Sequence, residues 1–139
     1  MRDESYQESL RIKLGLRLDA TRDDIANAAI FDLGEKGVGV SIRPIHDGYF
    51  HQITLRWDGY ELVHQATERI PIIEAYREWD VIEIMRRDGY EIQLDRTSDQ
   101  RFRVRVKGES YNVHTTSTSG YPILTAFEKW TVHRKAVAA

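Results

Sequence analysis

Apolar residues recur along this chain at two periods, and the switch between them marks out the elements. Leu10, Ile12, Leu14, Leu16 and Leu18 alternate with Arg11, Lys13, Gly15, Arg17 and Asp19. Period two over residues 10–18 predicts a half-buried strand. Leucine and arginine are good helix formers, but Gly15 weighs against a helix. Residues 1–8 ahead of it read as a mobile arm. From Thr21 the period changes. Ile25, Ala28, Ala29, Ile30 and Leu33 follow a capping-box pattern, Thr21 with Asp24, and Gly37 follows as a stop signal. That predicts a helix over about 22–35.

Three alternating runs come next, around Val38–Ile42, Ile53–Trp57 and Tyr60–Leu62, with the last two joined at Asp58-Gly59. Asp-Gly between alternating runs is a hairpin signal, because both residues tolerate positive φ. Pro71 then opens a helix that ends near Gly89. Its apolar arc, from Ile72 to Met85, is wider than one face needs, so it predicts packing on two sides or in an oligomer. Three more strands follow at Tyr90–Leu94, Phe102–Val106 and Tyr111–Val113. A last helix starts at Pro122 and carries Ile123, Phe127 and Trp130. The expected fold is α+β, with antiparallel β-meanders packed against three helices in the order β-α-βββ-α-βββ-α.

This order repeats itself. Residues 60–79 and 111–130 align without a gap: Tyr60 with Tyr111, Thr67 with Thr118, Pro71 with Pro122, Ala75 with Ala126, Trp79 with Trp130. An αβββα unit doubled through a shared middle helix accounts for the matches. The pseudo-repeats are about 21–79 and 72–136, within a single domain over 9–139. Convergent amphipathic patterning leads to the same architecture.

The second repeat resembles the ABA-sandwich proteins, a small family of bacteriophage proteins. The residues that carry the resemblance are Ala75, Trp79, Gly89, Tyr90, Val104, Val106, Thr118, Pro122, Ile123 and Ala126. The chain departs from the family where Phe127 and Trp130 replace small residues in the last helix. The resemblance implies a phage-like origin more than an activity.

Composition narrows the functional classes. The chain has 139 residues, 41% hydrophobic and 30% charged, and no cysteine. That excludes disulfides, thiolate metal sites and cysteine nucleophiles. A net charge of −2 gives no whole-molecule attraction to nucleic acid or acidic membrane. The polar, acidic start predicts no signal peptide, and no apolar run approaches a membrane span. A cytoplasmic protein is expected, in the host cytoplasm if phage-encoded. The balance is uneven, however: residues 88–139 carry eight Lys/Arg against six Asp/Glu.

The plainest chemical feature lies in that basic part. Arg101, Arg103, Arg105 and Lys107 alternate with apolar residues, so a strand presents all four on one side. Such a row suits phosphate. Cross-strand pairing with Glu91, Gln93 and Asp95 is the commoner explanation. The loop from His114 to Gly120, ahead of a helix N-terminus, adds Thr116, Thr118 and Ser119 as anion-site candidates. Helix capping by Thr118 and Ser119 is the commoner role there. The five histidines show no metal-ligand spacing, and no nucleotide-loop or hydrolase motif occurs. No cofactor or metal is expected.

The residues point to a non-enzymatic binding protein, and the resemblance implies that it is phage- or mobile-element-encoded and binds stoichiometrically. Its partner is expected to be a host defence protein or a phosphate-bearing nucleotide signal. The alternatives are nucleic-acid binding through Arg56, Arg101, Arg103 and Arg105, and an assembly role. A homo-oligomer, such as a dimer, is expected.

Overall fold

The computed structural model describes residues 4–45, 50–66, 72–96, 102–116 and 122–138. It is an α+β protein with four helices and two three-stranded antiparallel sheets. The order is α1 (Glu4–Lys13), α2 (Arg22–Glu35), β1 (Gly39–Ile45), β2 (Phe50–Trp57), β3 (Tyr60–Ala66), α3 (Ile72–Arg87), β4 (Glu91–Arg96), β5 (Phe102–Gly108), β6 (Tyr111–Thr116) and α4 (Pro122–Ala138). The chain divides into two compact units, Met1–Tyr76 and Arg77–Ala139. Among the described residues, no helix is long and apolar enough to cross a membrane.

The strand expected over 10–18 is instead the end of a helix and a turn, so the order begins α-α rather than β-α. Period two includes the i, i+4 spacing, and a leucine at every second position satisfies either pattern. Only Leu10 of that set is fully buried, whereas Ile12 and Leu18 are exposed. Gly15, weighed against a helix, in fact terminates one. It adopts φ 72°, its N–H bonds the Ile12 carbonyl, and the Leu16 N–H bonds the Arg11 carbonyl. This paired closure needs a left-handed residue, which glycine adopts without a Cβ penalty. The same closure ends α2 at Gly37, through Val38 N–H to Leu33 O, and α3 at Gly89, through Tyr90 N–H to Met85 O.

In the first unit the predicted capping box of α2 is present in full: Thr21 Oγ1 accepts from Asp24 N at 3.2 Å, and Thr21 N donates to Asp24 Oδ2 at 3.0 Å. Ile25, Ala26, Ala29 and Leu33 form its buried stripe. Asp32 accepts from Tyr76 Oη at 2.6 Å and from Lys36 Nζ at 2.6 Å. The β2–β3 hairpin turns at Asp58-Gly59, with φ of 46° and 82°, as the Asp-Gly pair predicts. The wide apolar arc of α3 is buried within the single chain: Ile72, Ile73, Ala75, Tyr76, Trp79, Val81, Ile82 and Met85 are all at most 7% exposed. Ile84, the remaining member of the arc, is half-buried.

In the second unit α4 packs on β5 and β6, burying Ile123, Ala126 and Trp130 against Val104 and Val106. Both sheets are simple meanders with related registers. Adding 51 to the pair Gln52↔Gln65 gives Arg103↔Thr116, and adding it to Arg56↔Glu61 gives Lys107↔Asn112. At the end of each ladder a large and a small residue have changed places. Val38 and Trp57 are both buried in the first unit. The corresponding positions of the second unit hold Tyr90 and Gly108. A Cβ on Gly108 would overlap the Tyr90 ring, lying 2.7 Å from Cδ2. Tyr90 has little room to yield, with Trp130 and Tyr111 edge-on to it at 5.8 and 5.9 Å. Gly108→Ala is expected to destabilise the second unit by about 1–3 kcal/mol, as overpacking does, with Tyr90→Val restoring most of the loss. Urea unfolding of the single and double variants measures both effects.

Candidate ligand-binding face

β5 is the central strand of the second sheet, and its alternation sorts the residues. Val104 and Val106 are fully buried on the side covered by α4. Arg103, Arg105 and Lys107 therefore point to the opposite, uncovered face. The registers extend this into three rows across the sheet: Glu91–Lys107–Asn112, Gln93–Arg105–His114 and Asp95–Arg103–Thr116. Of the side chains described in these rows, Arg105 is half-buried and the others are exposed. The first strand of the face is acidic, the middle one basic, and the third neutral and hydrogen-bonding.

Hydrogen bonds hold the centre of this face in place. Arg105 Nε donates to His114 Nε2 at 3.1 Å, and Arg105 Nη1 donates to Gln93 Oε1 at 3.4 Å. The guanidinium is thus stretched across all three strands. These bonds use two of its five N–H donors. In the bond from Arg105 Nε, His114 Nε2 is the acceptor. Glu91 and Asp95 do sit opposite Lys107 and Arg103, as the sequence pattern predicts. Among the described residues, however, neither register pair closes into a salt bridge. Pairing therefore does not consume the positive charge of β5.

The other sequence candidates fall elsewhere. Arg56 lies on β2 in the first unit, where Glu61 Oε2 accepts from its Nε at 2.8 Å. Arg101, Thr118 and Ser119 lie outside the described residues, so most of the expected hydroxyl loop does too. Thr116 closes β6 opposite Arg103. Thr115, not singled out by sequence, ties that strand end to α4: its buried hydroxyl donates to the Pro122 carbonyl at 2.7 Å. Gln93 joins the face as the sequence pattern expects, whereas Asn112 and His114 do so without being singled out by sequence. The signal for those two is the polar half of the β6 alternation.

The two histidines of the second unit lie on opposite sides of its sheet. His114 contacts Arg105, while His133 stacks on Tyr111 at 4.2 Å on the α4 side of the sheet. Among the described residues no group of His, Asp and Glu could hold a metal ion. The Tyr111 hydroxyl is buried without a hydrogen-bond partner. Its burial, and secondarily the neighbouring Tyr90, push its pKa above the ordinary tyrosine value. A shallow depression of about 520 Å³ lies in the first unit, lined by Leu16, Arg17, Asp19, Ala20, Asp24 and Asn27. Of its lining, Asp24 already serves the α2 cap, and Arg17 and Asp19 pair with each other.

Compared with the known protein families, the chain matches none, and no curated protein matches it.

Proposed function

We propose that this is a non-enzymatic binding protein that takes a phosphate-bearing ligand on the open face of β4–β5–β6. The single observation that carries this reading is the basic middle strand. Arg103, Arg105 and Lys107 share one uncovered face, and the described carboxylates of that face do not neutralise them through salt bridges. Arginine's planar fork suits phosphate oxygens, and three of Arg105's N–H donors remain available. A protein that works by stoichiometric capture fits this open, shallow geometry. Sequestration of a nucleotide signal by a phage- or mobile-element-encoded protein is the biological role we assign to it. The resemblance of the second repeat to phage ABA-sandwich proteins supports that origin. We also read the matching registers of the two sheets, and their three matching strands, as the product of an internal duplication of an αβββα unit.

Nucleic-acid binding through a continuous row with Arg56 receives less support, because Arg56 belongs to the first sheet and is paired with Glu61. Calorimetric titration with a panel of cyclic dinucleotides and adenosine phosphates tests the proposal. At least one is expected to bind, and Arg105→Glu is expected to weaken it by at least about tenfold, the order of one lost charge-assisted contact. No heat with any of them overturns the proposal.

A further inference from the structure

We infer that the face is selective, and that the ligand is a compact phosphate ester lying across β5 and β6 while the β4 row excludes extended polyanions. This rests on the proposed binding function and adds a ligand class and two sets of determinants to it. Along β5 the cations at 103, 105 and 107 recur every second residue, about 7 Å apart, so the row is about 14 Å long. That length accommodates one or two phosphate groups with part of what they are attached to. To one side, about 5 Å away, stand the carboxylates of Glu91 and Asp95, both exposed and in register with Lys107 and Arg103. On the other side, at the same spacing, stand Asn112 and His114, exposed and uncharged or hydrogen-bonding.

An anion approaching β5 is therefore repelled from one flank and met by donors and acceptors on the other. The strand spacing is shorter than the Debye length of about 8 Å at physiological salt, so this repulsion is not screened away. A small ligand avoids the acidic strand by leaning onto β6. Its phosphate lies on Arg103, Arg105 and Lys107, and the Asn112 amide hydrogen-bonds its sugar or base. A single strand of nucleic acid that tracks across the sheet carries its phosphates over Glu91 and Asp95 and loses affinity there. Asn112 is thus a specificity residue for the non-phosphate part, and Glu91 with Asp95 are determinants against polyanions.

The test uses the full chain and three probes: inorganic pyrophosphate, ADP and a 20-nucleotide single strand, each titrated by calorimetry at fixed salt. Asn112→Ala is expected to weaken ADP by about fivefold and leave pyrophosphate unchanged, as loss of one neutral hydrogen bond does. The Glu91→Gln/Asp95→Asn double variant is expected to tighten the single strand by about tenfold while ADP tightens by less than about threefold. All three side chains are exposed polar groups, so circular dichroism serves to confirm that each variant keeps its fold. If the single strand binds the wild-type chain as tightly as ADP, and the double variant leaves that ratio unchanged, the selectivity is wrong and the binding face stands. If ADP and pyrophosphate respond equally to Asn112→Ala, the placement on β6 is wrong. If none of the three probes binds, the binding function itself fails.

Discussion

Trp130→Ala is expected to cost the second unit about 3–5 kcal/mol, the range for truncating a large buried aromatic residue. The indole is 7% exposed and joins the aromatic residues of α4 to Tyr90 on the inner side of that sheet. Tyr90 meets it edge-on at 5.8 Å, Phe127 stacks on it at 5.5 Å, and the Arg134 guanidinium lies 5.6 Å over its ring. Arg134 is held there by Asp88 at 2.9 Å. Alanine removes all of these contacts together and leaves a cavity that the rigid neighbours fill only in part. Trp130→Phe keeps an aromatic face for Tyr90 and Phe127 and is expected to lose less than half as much. The indole N–H is buried without a hydrogen-bond partner, so phenylalanine forfeits no hydrogen bond. Urea unfolding followed by circular dichroism measures both. A loss below about 1 kcal/mol for Trp130→Ala, the typical size of an unremarkable substitution, contradicts this account of the core.

Tyr76→Ala has the second large effect, about 3–5 kcal/mol by the same cavity argument, because the ring is fully buried. Tyr76→Phe separates packing from hydrogen bonding. It keeps the ring and removes the donor to Asp32 at 2.6 Å, with an expected cost of about 1.5–3 kcal/mol for a bond to a charged acceptor. This bond also sets a pH dependence. Partial burial raises the Asp32 pKa, but hydrogen bonds from Lys36 and Tyr76, with the charges of Lys36 and Lys13, outweigh it and hold the carboxyl below its ordinary value of 3.8. A group whose folded pKa is depressed contributes stability above its unfolded pKa and loses it as pH falls through the folded one. The contribution of Asp32 is therefore complete at neutral pH and disappears below pH 3.8. Tyr76→Phe is expected to flatten that acid limb, which unfolding measured between pH 2 and 6 reads directly. An unchanged limb rules out the coupling.

Much of the architecture was legible because each signal had a local cause. The Asp58-Gly59 turn, the Thr21–Asp24 box and the glycine stops at Gly37 and Gly89 are decided by backbone chemistry within a few residues. Residues 10–18 obey that same chemistry. Gly15 makes the same closure as Gly37 and Gly89, so it ends a helix rather than arguing against one. A leucine at every second position satisfies two periods, and only burial distinguishes them. Leu10 is enclosed while Ile12 stands in solvent, which no local rule anticipates.

The binding face was half legible for a related reason. Alternation placed Arg103, Arg105 and Lys107 together, because side chains two residues apart on a strand must share a face. Which residues flank them depends on strand order and register. Sequence pattern suggested the β4 partners Glu91, Gln93 and Asp95. Only the ladder with β6 brought His114 to the Arg105 guanidinium and Asn112 beside Lys107.

Taken alone, the amino-acid sequence determined the α+β class, both meanders, most helix ends and the single-sided row of cations, since these follow from period and turn chemistry. Tertiary structure decided the rest. It made the first segment a helix, buried the wide arc of α3 within one chain, seated Tyr90 over Gly108, and left the β5 cations beside carboxylates that do not neutralise them. Each of these depends on which distant residues meet, and that is set by packing and register rather than by any stretch of chain on its own.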